Sequence, residues 1–397
     1  MVDTATCQVT GYLYPWDILG DPGAAGRIRA TGVDRVALAA AYHSVRAATP
    51  RHPARRIVDA HSAALYVPPG TAFDGQPLAP AGAEPWTGTD NAFAAAASEL
   101  RNAGIPVDAW TVLTHSSAAG GSNRDLCVLN AFGEVYSYAL CPSQPAVRTY
   151  AATVVARILQ VGRPDGLVLE AAGPLGFSHQ NRHEKTEGAE YSPWVQALLS
   201  LCFCAACTAG YRERGLPAEE YRQRVRELVL AAQDPDAAPG DAAGAHGLLP
   251  LLEARWDAAA ALLDRCVQAA ADSGAEVRLS LHATPDPWST GPFLPLDALR
   301  RSLLWPARGD AAAVVPCWGG SAQSGDLVRD MAGTGTRTGA YVLALPPKTH
   351  DAGGLAAEWR HLVDAGASEL HVYHLGLAST RRLEAVREAV RMVRGRA

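Results

Sequence analysis

The chain has 397 residues, 48% hydrophobic and 19% charged, with a formal net charge of -5. That balance is globular, with enough length to bury a large core, and it excludes a disordered or fibrous chain. Charge of either sign is spread without long runs, so neither nucleic acid nor an anionic membrane surface is an expected partner.

Met1 to Thr10 shows no basic segment leading into an apolar run, so no secretory signal is visible. No apolar stretch reaches the roughly 18 to 20 residues of a spanning helix, and a cytoplasmic location is the expectation.

In chain order, short apolar strand-like runs occur at Gly11–Trp16, Arg35–Ala41, Val107–Leu113, Gly166–Glu170, Val277–Leu281, Ala312–Pro316, Ala340–Leu345 and Glu369–Tyr373. Segments with apolar residues at three- and four-residue spacing alternate with them, among them Ala92–Ala103, Ala146–Val161, Leu355–Ala365 and Arg381–Arg394. A glycine follows several of these helices, at Gly104, Gly274 and Gly366, which suits the left-handed residue that ends a helix. Eight such units predict an α/β fold, a (β/α)8 barrel spanning 1–397 as a single domain. A doubly wound sheet would open with a glycine-rich phosphate loop, whereas strand one runs into Tyr14-Pro15-Trp16-Asp17.

Two excursions break the rhythm. Ser44–Asn91 follows strand two. An insertion, 171–273, follows strand four, with helices expected near Pro193–Gly215, Ala218–Ala232 and Leu249–Ala271 around a linker at Asp234–Gly247. Loops on that side of a barrel build its working face.

Within the insertion, Cys202-Phe203-Cys204-Ala205-Ala206-Cys207 places three thiols in six residues, at the end of the first expected helix. A tetrahedral site needs a fourth soft ligand, and Cys141 in the loop after strand three is the expected one, with Cys127 competing. Four thiolates leave no open position, so the expected cofactor is a structural zinc. Cys7, Cys266 and Cys317 read as core residues.

The run Cys141-Pro142-Ser143-Gln144-Pro145-Ala146-Val147-Arg148, an acidic residue closing strand four, and the cysteine cluster followed by Tyr211-Arg212 resemble the zinc-binding layout of glycoside hydrolase family 42 beta-galactosidases. They also resemble uncharacterised glycoside-hydrolase-like barrels bearing a C-F-C-x-x-C motif. The resemblance covers roughly residues 105 to 215 and implies a hydrolase in which Glu170 is the general acid/base. The family pattern also has an Asn before that Glu and a nucleophilic Glu ending strand seven. This chain has Leu169 and Ala344-Leu345-Pro346-Pro347 there. Asp286, Glu184 and Asp17 are the remaining acidic candidates.

Independently of the resemblance, a carboxylate terminating the apolar run Leu167-Val168-Leu169-Glu170 lies where barrels place catalytic groups. Histidines accumulate at the same ends: His43, His115, His179, His183, His282, His371 and His374, seven of the twelve in the chain. Imidazoles there suit sugar hydroxyls, proton shuttling, or a second divalent metal held with Glu170. Tyr14, Tyr42, Trp110 and Tyr373 accompany them, Trp16, Trp288 and Trp318 are candidate stacking platforms for a sugar, and Arg46 and His183-Glu184-Lys185 add charge to the rim. The leading expectation is a carbohydrate-active enzyme taking a small glycoside or sugar-like substrate. The alternatives are a metal-dependent sugar isomerase, epimerase or hydrolase, and a sugar-binding barrel without catalysis. A homo-oligomer is compatible with all three.

Overall fold

A computed structural model describes residues 7–178, 185–232, 247–305 and 311–395. Eight parallel strands form a closed ring: β1 (Gln8–Leu13), β2 (Arg35–Tyr42), β3 (Val107–Val112), β4 (Gly166–Glu170), β5 (Arg278–Thr284), β6 (Ala312–Pro316), β7 (Arg337–Leu343) and β8 (Glu369–Tyr373). Each pairs with its sequence neighbours, and β1 closes the ring by pairing with both β2 and β8. This is the expected (β/α)8 barrel. Its strands are near-continuous apolar runs because helices cover their outer faces.

A helix follows each strand, from Ala24–Ala30 after β1 to Thr380–Val393 after β8. Side chains cap several: Asn91, Asp351 and Ser379 accept N–H bonds from Ala94, Gly354 and Arg382. Gly104, Gly274 and Gly366 adopt positive φ, as their position after helices predicted. Among the described residues no helix is long and apolar enough to cross a membrane.

Local boundaries differ from expectation where proline or tertiary pairing intervenes. Strand one is Gln8–Leu13 rather than Gly11–Trp16, because Pro15–Asp17 forms a 3-10 turn and Asp17 Oδ2 accepts the Tyr14 N–H at 2.8 Å. Strand seven stops at Leu343, ahead of Pro346-Pro347. The excursion after β2 contains an antiparallel hairpin, Val45–Ala48 with Ile57–Ala60. Between β4 and the long helix Leu249–Asp272, the expected helix over Pro193–Gly215 is two, Pro193–Leu199 and Ala205–Glu213. The break arises because Phe203 N–H donates to Leu129 O at 2.7 Å, drawing the chain onto a hairpin, Cys127–Leu129 with Val135–Leu140. The thiols therefore occupy a break and a helix start, not a helix end.

The barrel interior is more polar than usual. Branched aliphatic residues commonly fill this space. Here its N-terminal end holds Asp108 and Glu369, 1% and 0% exposed, clamped by arginines. Arg35 Nε donates to Asp108 Oδ2 at 2.9 Å, Arg278 bridges Asp108 and Glu369, and Arg337 Nε lies 2.6 Å from Glu369 Oε1. Glycines make room for this layer. A Cβ on Gly166 would lie 2.3 Å from Asp108 Oδ1, and one on Gly339 would lie 3.0 Å from the His371 ring. Removing one partner of a buried charge network strands the others, so Asp108→Ala is expected to lower the unfolding free energy by about 3 kcal/mol. Urea unfolding checks this, and a loss below about 1 kcal/mol would show that Arg35 and Arg278 find other partners.

Candidate active site

Glu170 ends β4 at the C-terminal mouth and is 5% exposed. The residue after it, Ala171, turns sharply with φ of 52°, a left-handed conformation costly for a residue with a Cβ. Hydrogen bonds hold the turn: Glu170 O accepts from Leu113 N, Ala171 O from Thr114 N and Oγ1, and Ala171 N donates to Pro292 O. The glutamate is thus anchored by backbone on both sides.

Among the described residues, its side chain meets Trp110 and His282 on the two adjacent strands. The Trp110 indole N–H, from β3, donates to Oε2 at 2.6 Å. His282 Nδ1, from β5, lies 3.3 Å from the same oxygen, an ion-pair contact not aligned as a hydrogen bond. His282 is stacked on Phe293, with ring centroids 5.2 Å apart, and its Nε2 is 2.9 Å from Tyr12 OH. An imidazole against a carboxylate in a dry setting can hold, give or take a proton.

Around this pair lies a floor of rings. Tyr14 stacks on Trp16 at 4.5 Å and lies 4.3 Å from His374, and its hydroxyl donates to Tyr42 OH at 3.2 Å. Tyr42 stacks on His43 at 4.1 Å, and His43 stacks on His115 at 4.5 Å. Burial pushes Tyr12, Tyr14, Tyr42 and Tyr341 well above the ordinary phenol range, so all four stay neutral hydroxyls. Burial, and then the Arg51 charge, pull His374 well below the usual imidazole value, leaving it neutral.

A scan of protein-family models and a search of curated proteins found no match to this sequence. Solved structures do match in shape. An alpha-L-fucosidase isoenzyme 2 from Paenibacillus thiaminolyticus superposes with a TM-score of 0.56 at 12% identity over 98% of this chain and 49% of that one. A beta-galactosidase from the psychrophilic Marinomonas ef1 gives 0.56 at 11% identity over 97% of this chain and 59% of that one. The glycoside hydrolase domain of PgaB from Bordetella bronchiseptica gives 0.54 at 17% identity over 96% and 98%. The chain thus spans about half of the fucosidase and under two thirds of the beta-galactosidase. At these identities the likeness is one of fold.

Of the residues singled out in the sequence, Glu170, Tyr42, His43, His115, His282, Trp16 and His374 gather at the mouth or in the ring floor below it. Trp16 is 1% exposed and wedged among Tyr14, Tyr66 and Trp86, so it supports the floor instead of presenting a face. Trp318 is 37% exposed beside Phe293 and Tyr341, whereas Trp288 packs on Trp194. Arg46 is exposed on the hairpin, paired in register with Asp59. Asp286 is exposed and serves its own loop, its Oδ1 accepting the Trp288 N–H at 2.9 Å. His179, His183 and Glu184 lie outside the described residues. His371 is deeper than a strand end, beneath Tyr12. Sequence reasoning missed Tyr12, Phe293 and Tyr341; the alternation Thr10, Tyr12, Tyr14 was the available signal for the first.

Cys141, Cys202, Cys204 and Cys207 converge, with all four sulfurs within 4.8 Å of one another. Cys141 Sγ is 3.5 Å from Cys207 and 3.7 Å from both Cys202 and Cys204, and none is disulfide-bonded. Cys127 stands apart, its thiol donating to Gly120 O at 3.5 Å. Cys7, Cys266 and Cys317 are buried, and burial pushes each thiol to about 12. Among the described residues, these four cysteines are the one group of three or more side chains placed to share a metal.

Asp17 sits behind the floor, its side chain 3% exposed and its Oδ2 4.0 Å from His374 Nε2. Burial raises its carboxyl from 3.8 to about 7, despite the Tyr14 N–H bond and the Arg51 charge. A raised carboxyl binds its proton more tightly in the folded state, so this contribution to stability is full below about pH 4 and is lost as pH rises through about 7. Between about pH 5 and pH 8, Asp17→Asn is expected to flatten the decline in unfolding free energy by roughly 2 kcal/mol. Unfolding curves at several pH values check this; parallel declines in both proteins would place the charge elsewhere.

Proposed function

We propose that this barrel is a carbohydrate-active enzyme of glycoside hydrolase type, with Glu170 as general acid/base. The observation that carries the reading is a buried carboxyl ending a barrel strand, held between the Trp110 indole and the His282 imidazole and surrounded by aromatic rings and neutral phenols. Sugars offer apolar C–H faces to rings and hydroxyls to phenols, and that surface suits both. The fold likeness to an alpha-L-fucosidase, a beta-galactosidase and a glycoside hydrolase domain supports the same direction.

In the proposed reaction Glu170 protonates the oxygen of the departing group as the sugar ring takes on oxocarbenium character. A carboxylate nucleophile of the usual kind is not supplied by strand seven, and Asp286 and Asp17 are occupied as described. A tyrosinate nucleophile is disfavoured because burial keeps Tyr12, Tyr14, Tyr42 and Tyr341 protonated. Direct attack by water, with inversion, is the route that fits the described groups. His43 and His115 stand near the mouth as candidates for its base.

The four cysteines fit a structural zinc. Tetrahedral zinc with bonds of about 2.3 Å sets sulfur–sulfur edges of about 3.8 Å, close to the observed separations. The metal would supply no chemistry in a closed site; Cys141, Cys202, Cys204 and Cys207 would tie the loop after β3 to the segment after β4. Arg255, whose guanidinium is buried near these sulfurs, suits the negative charge of four thiolates.

Across a panel of aryl glycosides, Glu170→Gln is expected to lower kcat/KM a hundredfold to ten-thousandfold for the substrate the wild type cleaves. Equal turnover by both proteins would remove Glu170 from the reaction, and sugar binding without turnover would favour a binding barrel. Elemental analysis is expected to find about one zinc per chain, lost in Cys204→Ser. A second, chelator-sensitive metal needed for activity would favour the metal-dependent isomerase reading.

A further inference from the structure

A file of polar side chains crosses the barrel from its N-terminal charge layer to Glu170. Glu369 Oε2 lies 3.1 Å from His371 Nε2, His371 Nδ1 lies 3.1 Å from Tyr12 OH, and Tyr12 OH lies 2.9 Å from His282 Nε2. His282 Nδ1 then faces Glu170 Oε2 at 3.3 Å. Glu369, His371, His282 and Tyr12 are each 0% exposed, so the file carries its protons without exchange partners in bulk water along its length.

A neutral imidazole has one donor and one acceptor nitrogen, and a phenol has one proton, so fixing one end fixes every member. Arg278 and Arg337 both pair with Glu369. Burial raises the Glu369 carboxyl, but the His371 hydrogen bond and the two arginines outweigh it and hold it below the usual range. As an ionised carboxylate Glu369 can only accept. His371 therefore donates from Nε2, burial keeping the ring neutral, and accepts at Nδ1 from the Tyr12 hydroxyl. Tyr12 has then spent its proton and must accept from His282 Nε2–H. The remaining nitrogen of a neutral His282, Nδ1, would present a lone pair to Glu170, and a lone pair facing a carboxylate oxygen is repulsive in a dry interior.

We propose that Glu369, His371 and Tyr12 act as a positioning relay that sets the hydrogen-bond direction of His282 and so keeps one proton, beyond the one on His282 Nε2, between Glu170 and His282 in the resting protein. The proton sits either on Glu170 or on His282 Nδ1, and in both cases the pair is loaded as an acid. This deepens the hydrolase reading above and rests on it for its catalytic meaning. Among the described residues, the other ionisable groups of the strands around the relay leave that direction unchanged. Tyr42, Tyr341 and Tyr373, from β2, β7 and β8, are raised phenols. Asp108, from β3, is paired with Arg35 and Arg278. The β6 strand, Ala312–Pro316, contributes no ionisable side chain.

The test reads histidine tautomers by nitrogen-15 NMR on the full chain, without substrate. In the wild type His371 is expected to carry its proton on Nε2 with Nδ1 bare, and His282 to be protonated at Nε2. A proton on Nδ1 of His371 overturns the proposal, because the file then runs the other way. Tyr12→Phe keeps the ring and cuts the file; His282 is then expected to move its proton to Nδ1 and donate to an ionised Glu170. An unchanged His282 in a folded Tyr12→Phe also overturns it, and if that variant does not fold, the wild-type spectrum still decides. On a cleaved glycoside, Tyr12→Phe is expected to lower kcat about tenfold with KM within about twofold, and to move the basic limb of the pH profile down by about one unit. A protein with the expected tautomers that hydrolyses no glycoside would overturn the hydrolase reading and leave the relay standing.

Discussion

The ion pairing of Glu369 with Arg278 and Arg337 is the constraint from which the barrel interior is built. A barrel axis is dry, and charge placed there is tolerated only when paired and hydrogen-bonded. Arg337 is 43% exposed and lets the network reach water at the N-terminal mouth, while Glu369 itself is sealed. Above it, each polar group exists because the one below needs a partner: His371 for Glu369, Tyr12 for His371, His282 for Tyr12. The aromatic rings complete the packing, with Tyr341 4.5 Å from His282 and Tyr12 5.0 Å from Trp110. Packing of the core and placement of Glu170 are therefore one problem, since the polar groups that satisfy the core end against its carboxylate.

The same economy explains the loops. The segment after β4 is drawn to the hairpin after β3 by Phe203 N–H to Leu129 O and by Tyr211 OH donating to Cys202 O at 2.8 Å. These bonds break what would otherwise read as one helix and turn the thiols inward. The loop they secure begins at Ala171, directly after Glu170. A strained turn at the glutamate survives only if its surroundings hold it, and the four cysteines lie in the two segments that flank it.

Much of the architecture was legible in the sequence because its causes are local. Apolar runs of strand length, glycines after helices and the absence of a phosphate loop follow from backbone preferences, and each strand lies within a few residues of its expected place. Cys202, Cys204 and Cys207 were legible through spacing, and Cys141 through its place in the loop after strand three, with Cys127 as its competitor. What the sequence could not display was depth along the barrel. Tyr12 and His371 sit in unremarkable alternating strands, and only the register that sets Thr10 beside His371 and Tyr341 beside His371 places their side chains in one file. Trp16 looked like a platform because it follows a strand, but the Pro15–Asp17 turn folds it under Tyr14.

Depth also separates Glu170 from the other carboxyls named above. Asp286 is exposed and caps its own loop. Asp17 is sealed behind the floor, where burial favours its protonated form. Glu369 is sealed as well, yet arginines keep it ionised. Glu170 faces the His282 imidazole at the C-terminal end of its strand. Burial by itself raises a carboxyl wherever it occurs; what distinguishes an acid catalyst is burial combined with a partner whose protonation the rest of the fold controls. In the proposed relay that control reaches Glu170 from the opposite end of the barrel.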